Sequence, residues 1–568
     1  MLRPAAILSA LLLAACTQPS PTPPAANATE PTEADRPSAS RIFSSGTIYT
    51  GIAGETVDTV AVGGDGRIVW TGSVDDLDAE VDIENAEFVW LNNNFMYPGF
   101  TDAHAHLNGI GERELQLDLA SVESIAELLE VVAAENEAKP GDGLLFGRGW
   151  LETGWPEGRM PTAADLDSVV PDRPVILIRA DGHALVANSA ALDAVGINAD
   201  TADTEGGKIE RDEDGRATGI LIDEAMNLTL PLYQAPDADA VRESYIVGAA
   251  EYASRGWTGI HNMSVPPEDA SLLAELDAES LMPLRLWNAF SGRPAQAEMS
   301  RDIAANRKYE TDTITNRAIK YYMDGALGSR GALLIEPYSD RPDTSGLSLL
   351  SPEELQEAMS DADTGGYQLA IHAIGDFGNR RLIDGAIEGG YDASHRWRIE
   401  HTQLLNPSDI PRMAESGLIA SMQPSHAIGD LHFAPARVGL GRLQGAYAWQ
   451  SLMDAGVLVA GGSDAPVEVG SPLIEFYAAV ARKDLTGFTG EGWHPEEAVS
   501  REEALALFTS NAAYAAFMEE DLGTIEPGKI ADFSVFDRDL MSVPEAEILD
   551  ANAVMTVVGG EIVWSAAE

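Results

Sequence analysis

The chain has one cysteine in 568 residues, Cys16, so no intrachain disulfide can form and the folded state must rest on its core. Positive charge is scarce. Lys and Arg total 36 against 91 Asp and Glu, a formal net charge of −55. Such a surface repels phosphate, which argues against nucleic acid as a partner; it suits a salty exterior and does not by itself require a cationic substrate. No Gly-x-Gly-x-x-Gly opens a helix, so a dinucleotide-binding sheet lacks its fingerprint. The apolar run from Ala5 to Ala15 is too short to span a bilayer as a stable helix. Histidine is also sparse, 10 in all, which makes its placement informative.

What is present begins with MLRPAAILSALLLAAC, where Arg3, the short apolar run and small residues read as a secretory signal. Leu13-Ala14-Ala15-Cys16 resembles the bacterial lipoprotein box, with Cys16 lipidated as the new N-terminus; an ordinary signal peptide cut nearby is the alternative. Residues 1–16 are thus expected to be a lipoprotein signal, and the protein to sit on the cell envelope, at its periplasmic or outer-membrane face. The Pro, Thr, Ala and Ser of 17–40 cannot bury enough surface to fold and read as a tether.

Short alternating strands fill 41–97, with Gly64-Asp65-Gly66 as a hairpin signal, and the same texture returns over 520–568. Both ends are expected to build one small β-sandwich. Between them, from 98 to 519, apolar strands alternate with amphipathic helices such as VESIAELLEVVAAENEA. About eight such units predict an α/β fold of the (β/α)8 barrel type. The looser stretch at about 145–245 is read as an inserted subdomain.

In such a barrel the chemistry gathers at the C-terminal ends of the strands. His104 and His106 in PGFTDAHAHL lie two apart, on one face of a strand. Lys320 in AIKYYM, His372 in LAIHAIGD, His401 in RIEHTQ and Asp464 in GGSDAP also close or interrupt apolar runs. Plainer readings exist: His372 as a core histidine, His401 paired by Glu400, Asp464 as a turn cap. Lys320 resists one. A buried lysine without a partner is costly, burial favours the neutral amine, and a neutral amine can take up carbon dioxide as a carbamate able to bridge two metals.

Taken in order, these segments resemble the amidohydrolase superfamily, specifically amidohydrolase family 3, the branch that includes N-substituted formamide deformylases. PGFTDAHAHL, RGWLETGWPEGRMPTAADLD, DGHALVANSAAL, AIKYYMDGALGSRGA, HAIGD, RIEHTQ, GGSDAPVEVGSP, SREEALALFTSNAAYA and LGTIEPGKIADFSVFD carry the likeness, from about 41 to 565. Tyr97 and Asn262 depart from the usual pattern. The resemblance implies a barrel with a composite β-sandwich. It also implies one metal on His104, His106 and Asp464, a second on His372 and His401, and carbamylated Lys320 between them. His183 would reach the pocket from the insertion, and His426 and His261 are further candidates for touching substrate. His395, His432 and His494 read as surface or loop residues, and Trp150 and Trp155 as packing.

The chemistry this implies is hydrolysis of an amide, formamide or cyclic imide C–N bond in a small-molecule substrate. Metal-bound hydroxide would attack, and Asp464 would carry the proton to the departing amine. Zinc suits histidine-rich ligation, with manganese, iron and cobalt open. Two other readings stand beside it: a mononuclear deaminase-like amidohydrolase in which Lys320 is no ligand, and a lipid-anchored solute-binding protein without turnover.

Overall fold

The computed structural model describes residues 36–567 except 181–182, 205, 234–236 and 491. Its centre is a ring of eight parallel strands: β1 (Phe100–Ala105), β2 (Trp257–Val265), β3 (Arg285–Ser291), β4 (Ile314–Tyr322), β5 (Gln368–Ala373), β6 (Arg398–His401), β7 (Ile419–Met422) and β8 (Val459–Gly461), paired in sequence order. Most residues of each strand are buried, on both faces, as in a parallel strand wrapped by helices. The helices pack Ile303, Leu355, Leu382 and Met413 against strand residues such as Leu286, Ile319, Leu369 and Ile399 in one continuous core. Local signals set the helix ends. After β4, Ser351 and Glu354 form a capping box that opens the helix Pro352–Gly365, and Gly366 closes it at φ +66°, where a side chain would strain the backbone.

The seam between β8 and β1 is nearly closed, and it bears directly on the site. Asp464 N donates to His104 O at 2.6 Å and His106 N to Ala465 O at 2.8 Å. Below them the buried Asp102 carboxylate accepts from His104 N, Ser463 N, Ser463 Oγ and Tyr252 OH at 2.6–3.1 Å. Gly462 lets the two strands touch: a Cβ there would lie 2.4 Å from His104 N. An amide ladder crosses three strands, with Asn262 Nδ2 donating to Asn288 Oδ1 and Asn288 Nδ2 to Asn316 Oδ1.

The chain ends share a second sheet. Its hydrogen-bonded path runs through residues 561–565, 553–558, 533–536, 95–98, 41–49, 56–62 and 68–72, with 87–90 beside 41–49. In place of two separate layers there is one path that curls until its ends meet. Ile68 N bonds Lys529 O, Ala531 N bonds Gly66 O, and Phe43, Val60, Phe533 and Val557 share one core.

Three sequence-based boundaries move. The inserted sheet includes Leu117–Asp118, and the helix Ile125–Ala138 buries Leu128 and Val132 against Val175 and Leu177 in the insertion's own core. The insertion therefore begins near 117 rather than 145. The helix Ala238–Ser254, which fell partly inside the expected insertion, packs Tyr245, Ala249 and Tyr252 into the barrel core instead. Helical periodicity reveals an apolar face but not which sheet will cover it. Residues 38–40, expected to end the tether, belong to the sheet: Ala39 is buried and its N–H donates to Asp82 O at 2.9 Å. Cys16 and tether residues 17–35 lie outside the described residues.

Candidate metal centre

The proposed ligands come from strand ends. His104 is on β1 and His106 one residue past it, Lys320 is on β4, His372 on β5, His401 closes β6, and Asp464 follows β8. His401 (φ +78°) and Asp464 (φ +61°) both sit in the left-handed region that β-carbons resist, and such strain collects where side chains must be aimed. Together they floor a cavity of about 430 Å³ whose walls include Leu327, Ile374, Phe433 and Val467.

Each of three rings is turned by an acceptor on its Nδ1. Glu400 Oε2 accepts from His104 at 2.5 Å, Met263 O from His106 at 3.1 Å, and Gln423 Oε1 from His401 at 2.8 Å. A carboxylate or carbonyl only accepts, so these Nδ1 atoms carry the protons and the Nε2 lone pairs are left for a ligand. His104 Nε2 and His106 Nε2 lie 3.4 and 3.2 Å from Asp464 Oδ1. Two trios have all their ligating atoms within 4.8 Å of one another: His104, His106 and Asp464, and His401, His426 and Asp464.

His426 behaves differently from the others. Gln403 Nε2 donates to its Nδ1 at 3.0 Å, so its proton sits on Nε2, which lies 3.5 Å from Asp464 Oδ2 and 3.8 Å from Glu468 Oε1 with no hydrogen-bond partner. His372 reaches the same cavity, with its ring 4.5 Å from that of His401, but joins neither trio. Its Nε2 is buried, without a hydrogen bond, 3.5 Å from Asp324 Oδ1.

Lys320 is 1% exposed and has no carboxylate within ion-pair distance among the described residues; its Nζ lies 3.5 Å from His104 Nε2. Burial lowers the ammonium pKa to about 8, against the pull of Glu400 and Asp464. Burial likewise drives His372 down to about 3 and His401 well below its usual range, so both are neutral bases at ordinary pH. Burial pushes the Asp464 carboxyl up, but the His104 and His106 rings beside it outweigh burial and hold the group well below the usual range.

Two sequence-based candidates lie outside the lining of this cavity, and the plainer pairing of His401 by Glu400 does not form. His261 accepts at Nδ1 from Arg398 at 2.7 Å and packs its ring on Trp287, in a small separate cavity beside Gly259 and Arg285. It sits midway along β2, below the strand end. His183 lies on the inserted domain, bonded to Asp223 at 2.8 Å, and does not line the cavity. Glu400 does not pair with His401. Alternation turns it into the barrel, where it bonds His104 and Arg398. Trp150 and Trp155 are buried in the insertion's core, as packing residues should be.

Sequence reading missed Glu400 as the residue that orients His104. It also missed Asp324, which accepts from Leu333 N, Ile374 N and Gly375 N at 2.8–3.0 Å and ties the loop after β4 to the loop carrying His372. The available signal was the i, i+2 spacing of Arg398 and Glu400.

An α/β barrel whose imidazoles and carboxylate converge above the C-terminal ends of the strands is the architecture of metal-dependent hydrolases. The chain belongs to the amidohydrolase family, whose sequence model matches residues 87–564. It is 34% identical over 534 residues to the putative amidohydrolase YtcJ of Bacillus subtilis, covering 92% of this chain and 99% of that protein. It is 31% identical over 490 residues to the N-substituted formamide deformylase of Arthrobacter pascens, covering 84% and 89%. Among solved structures, an uncharacterized metal-dependent hydrolase from Pyrococcus furiosus matches with a TM-score of 0.71 at 28% identity, covering 88% of this chain and all of that one.

Proposed function

We propose that this protein hydrolyses an amide, formamide or cyclic imide C–N bond in a small molecule. The observation that carries the reading is the convergence of the three Nε2 lone pairs, each turned toward Asp464 by an acceptor behind its ring. The donor set fits divalent ions, and the partnerless buried Nε2 of His372 is a further free nitrogen at the same floor. His104, His106 and Asp464 would hold one ion; His401 and His372, with carbamylated Lys320 between the sites, would hold another, zinc being the best match to such ligands. Bound there, the ions would supply Lewis acidity toward a carbonyl and acidify water.

The rest is the work of the chain's own groups. Asp464 accepts the proton of the attacking water at a carboxylate oxygen and returns it to the departing nitrogen. Leu327, Ile374 and Phe433 exclude bulk water and strengthen each electrostatic contact at the floor. The test is a screen of formamides, N-acyl amino acids, cyclic imides and esters against metal-loaded and chelated protein. C–N cleavage lost on chelation and restored by a divalent ion is the expected result; no C–N cleavage with any metal would reject the reading.

We further propose that Cys16 is lipidated and holds the enzyme on the outer side of a membrane, touching the membrane through that lipid anchor only. Wild-type protein is then expected to partition with membranes into detergent, and Cys16→Ser protein to be soluble or unprocessed. Wild type recovered wholly soluble and cut elsewhere would overturn this.

A further inference from the structure

The cavity above the proposed metal centre is electrically divided. Its floor carries the imidazoles and Lys320, and among the described residues the only carboxylates lining it besides Asp464 are Asp430 and Glu468. No arginine among the described residues lines it. Asp430 follows β7, at the end of the helix Pro424–Asp430, and Glu468 lies on the loop after Asp464. Neither forms an ion pair with a lysine or arginine among the described residues. Asp430 is held by the Tyr447 hydroxyl, which donates to its Oδ2, and Glu468 lies nearest to His426.

His426 links this wall to the chemistry. It is 7% exposed, its Nε2 has no hydrogen-bond partner, and that atom faces Asp464 Oδ2 at 3.5 Å and Glu468 Oε1 at 3.8 Å. With Nδ1 accepting from Gln403, the proton on Nε2 points toward Asp464 and Glu468; burial pushes the Asp430 and Glu468 carboxyls up, and a cation bound between them would favour their charged forms. The wall therefore stands on the side of Asp464 that His426 marks, next to the group proposed to protonate the departing nitrogen.

We infer that Asp430 and Glu468 form a leaving-group subsite for a positively charged nitrogen: the amine freed by C–N cleavage, held as its ammonium. This rests on the amidohydrolase reading and narrows its substrates to amides of basic amines. When the C–N bond breaks, the nitrogen takes the proton that Asp464 carries and, at neutral pH, a second from solvent. The resulting cation meets two carboxylates that have no lysine or arginine to neutralise them.

The probe is a pair that differs only in charge, choline and its carbon isostere 3,3-dimethylbutan-1-ol. Neither can coordinate a metal through nitrogen. Binding to metal-loaded protein, measured by calorimetry, should favour choline by about tenfold or more, a difference of about 1.4 kcal/mol. Glu468→Gln and Asp430→Asn should each shrink that ratio by several-fold, and together bring it close to one, while affinity for the uncharged isostere and the bound metal content hold steady. A general loss of structure would weaken both ligands alike, so the ratio separates the two causes. Equal affinity of wild type for both probes, or an unchanged ratio in both variants, would overturn the subsite. The readout needs no turnover. Charge-selective binding without any amide hydrolysis would leave the subsite standing and remove the proposed activity, whereas hydrolysis without charge preference would do the reverse.

Discussion

Asp464→Asn protein should lose turnover by about three to four orders of magnitude while keeping its fold, the upper end of what one proton carrier contributes. The substitution alters almost nothing in shape. The backbone of residue 464 stays fixed by its bond to His104 O, and an amide oxygen can still stand beside His104 and His106 where Oδ1 stands now. What disappears is the capacity to accept a proton from water and release it to nitrogen. In the native protein the His104 and His106 rings beside it hold this carboxyl well below the usual range despite burial, so it is ionised and ready as an acceptor at neutral pH. The measurement is kcat alongside metal content by elemental analysis. Activity within tenfold of wild type, with metal retained, would remove Asp464 from the proton-carrying role.

Lys320→Ala protein should bind about one divalent ion where wild type binds about two, and its activity should fall with the lost ion. A fully buried lysine with no carboxylate partner is poorly suited to remain an ammonium, and burial has already brought its pKa down to about 8. In the neutral form the Nζ lone pair would add to the carbon of carbon dioxide, a proton would leave the nitrogen, and a carbamate anion would remain among the imidazoles. That proposed anion is the group the alanine variant would lack, so added short carboxylic acids should restore part of the activity. Lys320→Arg should not recover it, because a guanidinium stays protonated. Full activity with a single tightly held ion and an unmodified lysine in wild type would favour the mononuclear reading over this one.

The strand-end residues were legible because two local rules suffice: side chains alternate along a strand, and barrel chemistry sits where parallel strands end. His104, Lys320, His372, His401 and Asp464 follow from those rules and do reach one cavity. Contacts across the ring are another matter. Alternation predicts that Glu400 turns away from His401, but only the closed barrel brings it to His104, 296 residues earlier. Depth was also hidden. His261 follows the run Trp257–Ile260, yet β2 continues through Val265, so the ring lies below the mouth and bonds Arg398. The helix Ile125–Ala138 has an apolar face that either sheet could cover, and tertiary packing alone assigns it to the insertion.

The strand that bears His104 is rooted in the far end of the polypeptide. Residues 95–98 pair with 533–536, Gly99 N bonds Asp532 O, and Phe100 N takes Ser534 Oγ, a partner 434 positions downstream. On a ribosome this places the anchoring of β1 among the last events of synthesis. A nascent chain that has not yet emerged past residue 536 has all the proposed ligands but no footing for the strand that presents two of them. A polypeptide exported before it folds would keep that footing for the far side of the membrane, so the ions would be captured in the compartment where the finished enzyme works and not during translation.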